Sequence, residues 1–403
     1  MQPAAEARPL DRRVVITALG VGQILAWGTS FYFPAVFAGS IVRDTGWPLG
    51  FVVGGTSIGL LIAGLVSPQV GRVISAHGGR SVLMASSLFY ASGLAAVGLA
   101  PALTVYLLGW VLIGAGMGTG LYDAVFAALG RMYGSEARGP ITNLTLFGGF
   151  ASTICWPLSA FMIDHIGWRA ACFVYAGLHL FLVLPLQMRV VARVQAKNQT
   201  DGAVGREDAV AETRIENETL VFFLLATILS IAAGVGSIVV VHLLIFLQAR
   251  GLDFAVAVSL GTLFGPAQVS ARVVERIFGS HYHPIWTMIA SCCLMAAGLL
   301  MLYGAVPALI LVIVIYGAGY GISWIGRGTL PLALFGPVSF PRLMGRLAFP
   351  SLIVQALAPS LGAWLIEARG PDATIGVLTV FALVNVLLIG VLWRLCRPQP
   401  SLD

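Results

Sequence analysis

Long apolar runs separated by short, charge-bearing turns dominate this chain. They fall near 14–38, 50–70, 81–100, 103–130, 141–163 and 170–188, then near 220–247, 254–274, 284–303, 308–335, 347–366 and 374–393. A helix rising about 1.5 Å per residue needs roughly 20 residues to cross 30 Å of hydrocarbon. In lipid every backbone N–H and C=O must be satisfied within its own segment, so these runs predict membrane-spanning helices. The longest polar stretch, 189–219, mixes Arg193, Lys197 and Arg206 with Glu207, Asp208, Glu212, Glu216 and Glu218. It separates six runs from six. The expected organisation is therefore an N-terminal tail at 1–13, a six-helix bundle at 14–188, a linker at 189–219, a second bundle at 220–393 and a tail at 394–403. The apolar stretch after Arg13 is too long for the hydrophobic region of a cleaved leader, so it reads as a retained first span.

The two sets of runs repeat one another. Gly-Ala-Gly-Met-Gly at 114–118 returns as Gly-Ala-Gly-Tyr-Gly at 317–321, an offset of 203. The sequence at 156–161 around Pro157 is echoed at 358–364 around Pro359, an offset of 202. The segment 71–76 is answered by 271–276, an offset of 200. Three matches in one order and near-constant register point to a duplicated six-helix unit. Parallel repeats of this kind belong to secondary transporters, whose binding site lies between the halves near mid-membrane.

Composition agrees: 58% of the 403 residues are hydrophobic and 10% charged, against about 25% charged in a soluble domain. With the N-terminus inside, 18 of the 23 Lys and Arg fall on the cytoplasmic side. Arg43, Arg169, Arg250 and Arg369 fall outside, and Arg327 lies within a span. This positive-inside bias places both termini in the cytoplasm. The net charge of +6 is then topological, and nucleic acid is excluded as a partner because no loop concentrates the charge among aromatics.

Several motifs resemble the major facilitator superfamily. Where that family carries Gly-x-x-x-Asp-Arg-x-Gly-Arg-Arg between helices 2 and 3, this chain reads Gly71 through Arg80 with Gly71, Gly78 and the terminal Arg80 in place, but with Ser75 and Ala76 where the acid and its neighbour stand. The second-half copy keeps Arg272, Glu275 and Arg276, and Gly167-Trp168-Arg169 is similar to the family's frequent Gly-Trp-Arg. The resemblance implies an all-α membrane protein of twelve transmembrane helices in two pseudo-symmetric six-helix bundles. It also implies that Gly71, Arg80, Arg272, Glu275 and Arg276 belong to gating loops. Loss of the loop acid leaves the cytoplasmic contact either to the Glu275 side or weaker, and the expected bias is toward an inward-open state. The segments 26–34 and 327–336 resemble a bacterial branch near arsenite-efflux and riboflavin-uptake transporters, which implies the inner membrane.

In that family helices 1, 4, 7 and 10 line the cavity. Gln23, Trp27, Ser30 and Pro34 share one face of helix 1, and Tyr316, Tyr320, Ser323, Trp324 and Arg327 share one face of helix 10. An alternative reading is that such aromatic stripes only pack against neighbours. Asp123 and Arg327 are the sharpest pair. Asp123 lies eight residues before Arg131, roughly 12 Å into the membrane, and its repeat counterpart is 326, one position before Arg327. Ionisable groups inside a span are costly and are functional candidates by default. The pair reads either as a proton-coupling device facing the cavity or as a fixed ion pair locking helix 4 to helix 10. A guanidinium beside a carboxylate favours the ionised form, so an anionic substrate capturing Arg327 would free Asp123 to take a proton. His242, and less so His179, offers a second route for protons.

Other chemistry is poorly supported. His281 and His283 lack further ligands at metal spacing, so no metal and no cofactor is expected. Cys155 and Cys172 fall roughly 9 Å apart along the membrane normal, Cys292 and Cys293 point to different faces, and Cys396 is in the tail, so no three-thiol site is visible. There is no nucleophile–His–acid arrangement and no phosphate-binding loop, so the chain is not an enzyme. The expected function is proton-coupled efflux of a small toxic solute such as arsenite. The alternatives are uptake of an aromatic nutrient such as riboflavin, which Trp27, Tyr320 and Trp324 could stack against, or transport of a small organic anion. The expected partners are the substrate, protons and the bilayer, with the chain a monomer.

Overall fold

The computed structural model describes residues 11–189 and 217–396. The expected linker and most of both tails lie outside them. Among the described residues the chain is helical, with no strand. The first half comprises α1 (Arg12–Gly28), α2 (Phe33–Thr45), α3 (Leu49–His77), α4 (Arg80–Leu99), α5 (Leu103–Gly120), α6 (Tyr122–Tyr133), α7 (Arg138–Gly149) and α8 (Ala151–Leu178). From α8 the helix runs on through a π-helical turn at His179–Val183 to Arg189. The second half comprises α9 (Glu218–Gln248), α10 (Phe254–Gly261), α11 (Phe264–Phe278), α12 (Pro284–Tyr303) and α13 (Leu309–Leu395).

Among the described residues, eight helical stretches are long and apolar enough to cross a bilayer, and two of these, Leu103–Arg189 and Leu309–Leu395, hold 87 residues each. A straight helix of that length would extend about 130 Å, several times the membrane. The chain turns back instead. Ser159 Oγ lies 2.7 Å from Tyr175 Oη, although 16 helical residues would separate them by about 24 Å; the reversal is at Gly167, with φ 80°. Arg327 Nη2 donates to Ser351 Oγ at 2.7 Å across the turn at Gly336. Gly370, with φ 85°, breaks α13 a second time. Positive φ is cheap only for glycine, which is why glycine punctuates these hairpins.

The repeated glycine motif has the same job in both halves. A Cβ on Gly114 would lie 2.6 Å from the Gly59 carbonyl oxygen, and one on Gly118 2.9 Å from that of Ala63, so α5 rests backbone to backbone on α3. In the second half a Cβ on Gly321 would lie 2.6 Å from the Gln268 carbonyl oxygen, so α13 rests on α11 in the same manner. Small residues substitute for a hydrophobic driving force that lipid does not supply.

One end of the bundle carries the turns around 78–80, 134–138, 279–283 and 336–342, with Arg80, Arg138, His281, His283 and Arg342 among them, and is called here the basic end. The expected gating loop after helix 2 is almost wholly helical: α3 continues through His77, leaving Gly78 and Gly79 as the turn. Gly71 and Gly345 meet there, with the position of a Gly71 Cβ only 2.6 Å from the Pro341 carbonyl oxygen.

Candidate functional site

Asp123 owes its position to a break in its own span. Helix α5 ends at Gly120, Leu121 is extended (φ −79°, ψ −176°), and α6 restarts at Tyr122 with Asp123 in its first turn. A helix N-terminus presents unsatisfied N–H groups and a positive dipole end, which favours a carboxylate there. Opposite, Arg327 projects from α13 and grips the carboxylate with both arms: Nε to Oδ1 at 2.7 Å and Nη2 to Oδ2 at 2.9 Å. Nη2 also donates to Ser351 Oγ at 2.7 Å, and the guanidinium carbon lies 5.7 Å from the Trp324 ring. The side chains are 14% and 6% exposed. Of the ion pairs between described residues, this one joins the halves; Arg12–Glu136, Arg169–Asp44 and Arg250–Asp372 each stay within one half.

An aromatic collar closes over the pair. Trp27 and Trp324 meet edge to face with centroids 5.3 Å apart, Tyr122 lies 5.1 Å from Trp27 and 5.6 Å from Trp324, and Tyr320 touches Trp324 at 6.1 Å. The space left between Trp27, Tyr122, Asp123, Trp324, Ser67 and Gln355 is about 10 Å³, room for at most one water. The buried Trp27 Nε1 has no hydrogen-bond partner. The site is therefore collapsed, with an unused donor at its centre.

The expected helix 1 and helix 10 residues divide. Trp27, Trp324 and Arg327 reach the centre with Asp123. Tyr320 stands at the margin, stacked on Phe264 at 5.8 Å. Gln23 turns into the first half, where its Nε2 donates to the Gly120 carbonyl freed by the break in span 4. Ser30, in the turn after α1, donates back to the Ala26 carbonyl, and Ser323 donates to the Tyr320 carbonyl of its own helix. His242 is not brought to Asp123; its Nε2 is 3.0 Å from the Pro359 carbonyl. His179 is buried against Thr29 Oγ1 at 3.0 Å and stacks on Tyr90.

The gate differs from expectation. Glu275 sits inside α11, buried, accepting from Tyr282 Oη and Thr287 Oγ1 at 2.6 Å each, all within its own half. Although its charge acts on Arg138 of the first half, it does not hydrogen-bond across the halves. Arginines do so: Arg272 donates to the Gly321 and Thr145 carbonyls at 3.0 and 2.8 Å, Arg276 to Asn143 Oδ1, and Arg138 to the Gly279 carbonyl. Arg80, the exposed first residue of α4, takes no part in these contacts. The basic end is closed in this arrangement.

No cysteine reaches the centre: Cys155 Sγ faces the Ile24 carbonyl, Cys172 packs beside Gly98, and Cys292 accepts from Asn385. No group of three metal-ligating side chains occurs among the described residues. Tyr122, Ser351, Gln355 and Ser67 are central without having been singled out. Tyr122 adjoins Asp123, and Ser351 and Gln355 form an i, i+4 polar pair on an otherwise apolar span; that pairing was the available signal.

The model of the Major Facilitator Superfamily matches residues 19–282. No curated protein matches the chain in sequence. Among solved structures, the proton:xylose symporter XylE, bound to 6-bromo-6-deoxy-D-glucose, superposes with TM-score 0.72 at 13% identity, covering 95% of each chain. The human organic anion transporter MFSD10 (TETRAN) gives 0.69 at 14% identity over 94% of this chain and 100% of its own. FucP in the outward conformation gives 0.64 at 11% identity, over 92% and 98%.

Proposed function

The chain belongs to the major facilitator superfamily, a family of membrane transporters rather than enzymes, and on that footing we propose that it is a proton-coupled transporter of a small organic anion with a flat apolar body. Counting the reversals at 134–137, Gly167, Gly336 and Gly370 as hairpins supports twelve spans in two six-helix halves. The arginine distribution supports cytoplasmic termini. Alternating access then exposes the site between the halves to each side in turn.

The bidentate Asp123–Arg327 pair inside an aromatic collar carries the reading. A substrate carboxylate can replace Asp123 on Arg327 with the same fork geometry, and Trp27, Tyr122 and Trp324 offer ring faces to its apolar body. Asp123, released into a site closed to water, would accept a proton rather than stay charged without a partner. Anion and proton then occupy the site together, which is symport. With protons running inward, symport favours uptake over the efflux that the bacterial resemblance implied. An arsenite reading has less support, since no cysteine lines the centre. The solved organic anion transporter of the same fold makes this substrate class a reasonable first panel.

The test is uptake into proteoliposomes under an imposed pH gradient, across aromatic and aliphatic carboxylates. Gradient-driven accumulation is expected in the wild type, with Asp123→Asn retaining counterflow exchange but not accumulation. Equal accumulation by that variant removes Asp123 from the coupling. A neutral substrate transported without regard to Arg327 removes the anion.

A further inference from the structure

Outside the central site, the basic end holds a second cavity of about 560 Å³ that straddles the two halves. The first half contributes Ser135 and Arg138; the second contributes Ser280, His281, His283 and the end of the 309–335 span. Its wall is rich in donors. His283 Nδ1 accepts from the Ile285 N–H, which leaves Nε2 as the N–H donor of the neutral ring. Burial, and then the nearby Arg138 guanidinium, hold the His283 pKa below its ordinary value. The Ser135 and Ser280 hydroxyls have no described hydrogen bond. No carboxylate lines the cavity. Of the nearby acids, Glu275 spends its hydrogen bonds on Tyr282 and Thr287 and reaches Arg138 only through its charge, while Glu136 pairs with Arg12. The Tyr282 phenol, pushed up to about 12 by burial and by its bond to Glu275, stays protonated and occupied.

The contacts across the closed gate add to this excess of positive charge. Arg138, Arg272 and Arg276 cross between halves, or meet the opposite half, on carbonyl and amide oxygens and never on a carboxylate. The geometry points to this cavity as a site for a small oxyanion, phosphate or carboxylate in size, which bridges Arg138 and Ser135 on one half to Ser280 and His283 on the other. An ion touching both halves binds the closed arrangement better than the open one, so its binding holds the basic end shut. The oxyanion supplies from solution a negative charge on a cavity wall that no carboxylate lines.

Purified protein in nanodiscs of zwitterionic lipid, titrated with inorganic phosphate against chloride at equal ionic strength, tests this. Spin labels at Arg80→Cys and Arg342→Cys, in a background without native cysteines, report the separation of the halves. Phosphate should raise the unfolding temperature and enrich the short distance in the wild type and in Arg131→Gln, a charge at the same end that does not line the cavity. Arg138→Gln should weaken the response about tenfold or more, the value of a charge-assisted contact. Ser280→Ala with His283→Phe should weaken it as well while keeping the Arg138–Gly279 bond. A wild-type response already saturated in nanodiscs containing phosphatidylglycerol supports the same site with a headgroup as its source. Phosphate that leaves the distance distribution unchanged, or acts equally on wild type and the Ser280→Ala, His283→Phe variant, overturns the proposal.

Discussion

Replacing Asp123 by Asn should open the transporter toward its basic end. The variant keeps the side-chain shape but leaves Arg327 buried at 6% exposure without a counter-ion. Removing one partner of a buried ion pair costs about 3–5 kcal/mol. Part is recovered, because Arg327 still donates to Ser351 and stays near the Trp324 ring, contacts together worth about 1–2 kcal/mol. A net penalty of about 2–3 kcal/mol remains, and it falls on the closed form alone because the pair joins the two halves. At 1.4 kcal/mol per factor of ten, the open-to-closed ratio rises about 30- to 150-fold. The assay is the labelling rate of Gln355→Cys, at the central cavity, by a membrane-impermeant maleimide applied from the basic side, with the native cysteines replaced. Labelling should accelerate by tens of fold in Asp123→Asn. Adding Arg327→Gln should return it most of the way, since no buried charge is then unpaired. Rates within threefold of wild type for the single variant, or a double variant faster than the single, would refute the clamp.

Gly71→Val should block closure at the basic end, because its Cβ would fall 2.6 Å from the Pro341 carbonyl oxygen; the same maleimide assay should show a permanently accessible centre and transport should be lost. Ser237→Ala should lower the thermal midpoint by an amount equivalent to about 1 kcal/mol without changing substrate affinity. Pro359 has no N–H for the Gln355 carbonyl one turn earlier, and Ser237 donates to that oxygen instead at 3.2 Å. His283, whose pKa is depressed by burial and Arg138, is a base favoured as neutral in the folded protein. Its contribution is present above the unfolded value of about 6.5 and is lost as pH falls through the folded value. Thermal midpoints measured between pH 8 and 5 should therefore decline less on the acid side in His283→Phe than in wild type.

The sequence by itself determined that this chain crosses a membrane as helices, and that its two halves share a pattern. Both follow from local causes: an apolar run in lipid must satisfy its own backbone whatever its neighbours, and the glycine motifs mark where backbones approach. It also put Asp123 and Arg327 at matching depth, since depth follows from counting residues along a helix. Rotation about each helix axis was not legible in the same way. Gln23 and Trp27 are spaced to share a face, yet Gln23 is drawn away by the Gly120 carbonyl, which is free only because span 4 breaks at Leu121. Ser30 falls in the turn between α1 and α2, where helical spacing no longer sets direction. Glu275 reads as a gate residue until Tyr282 and Thr287 claim it. Ser351 and Gln355 become central only when the turn at Gly336 folds their span back along Arg327. Hydrophobicity fixes which segments enter the bilayer because that energy is summed along the chain; which side chains meet depends on packing between segments distant in sequence, and only the tertiary structure decides it.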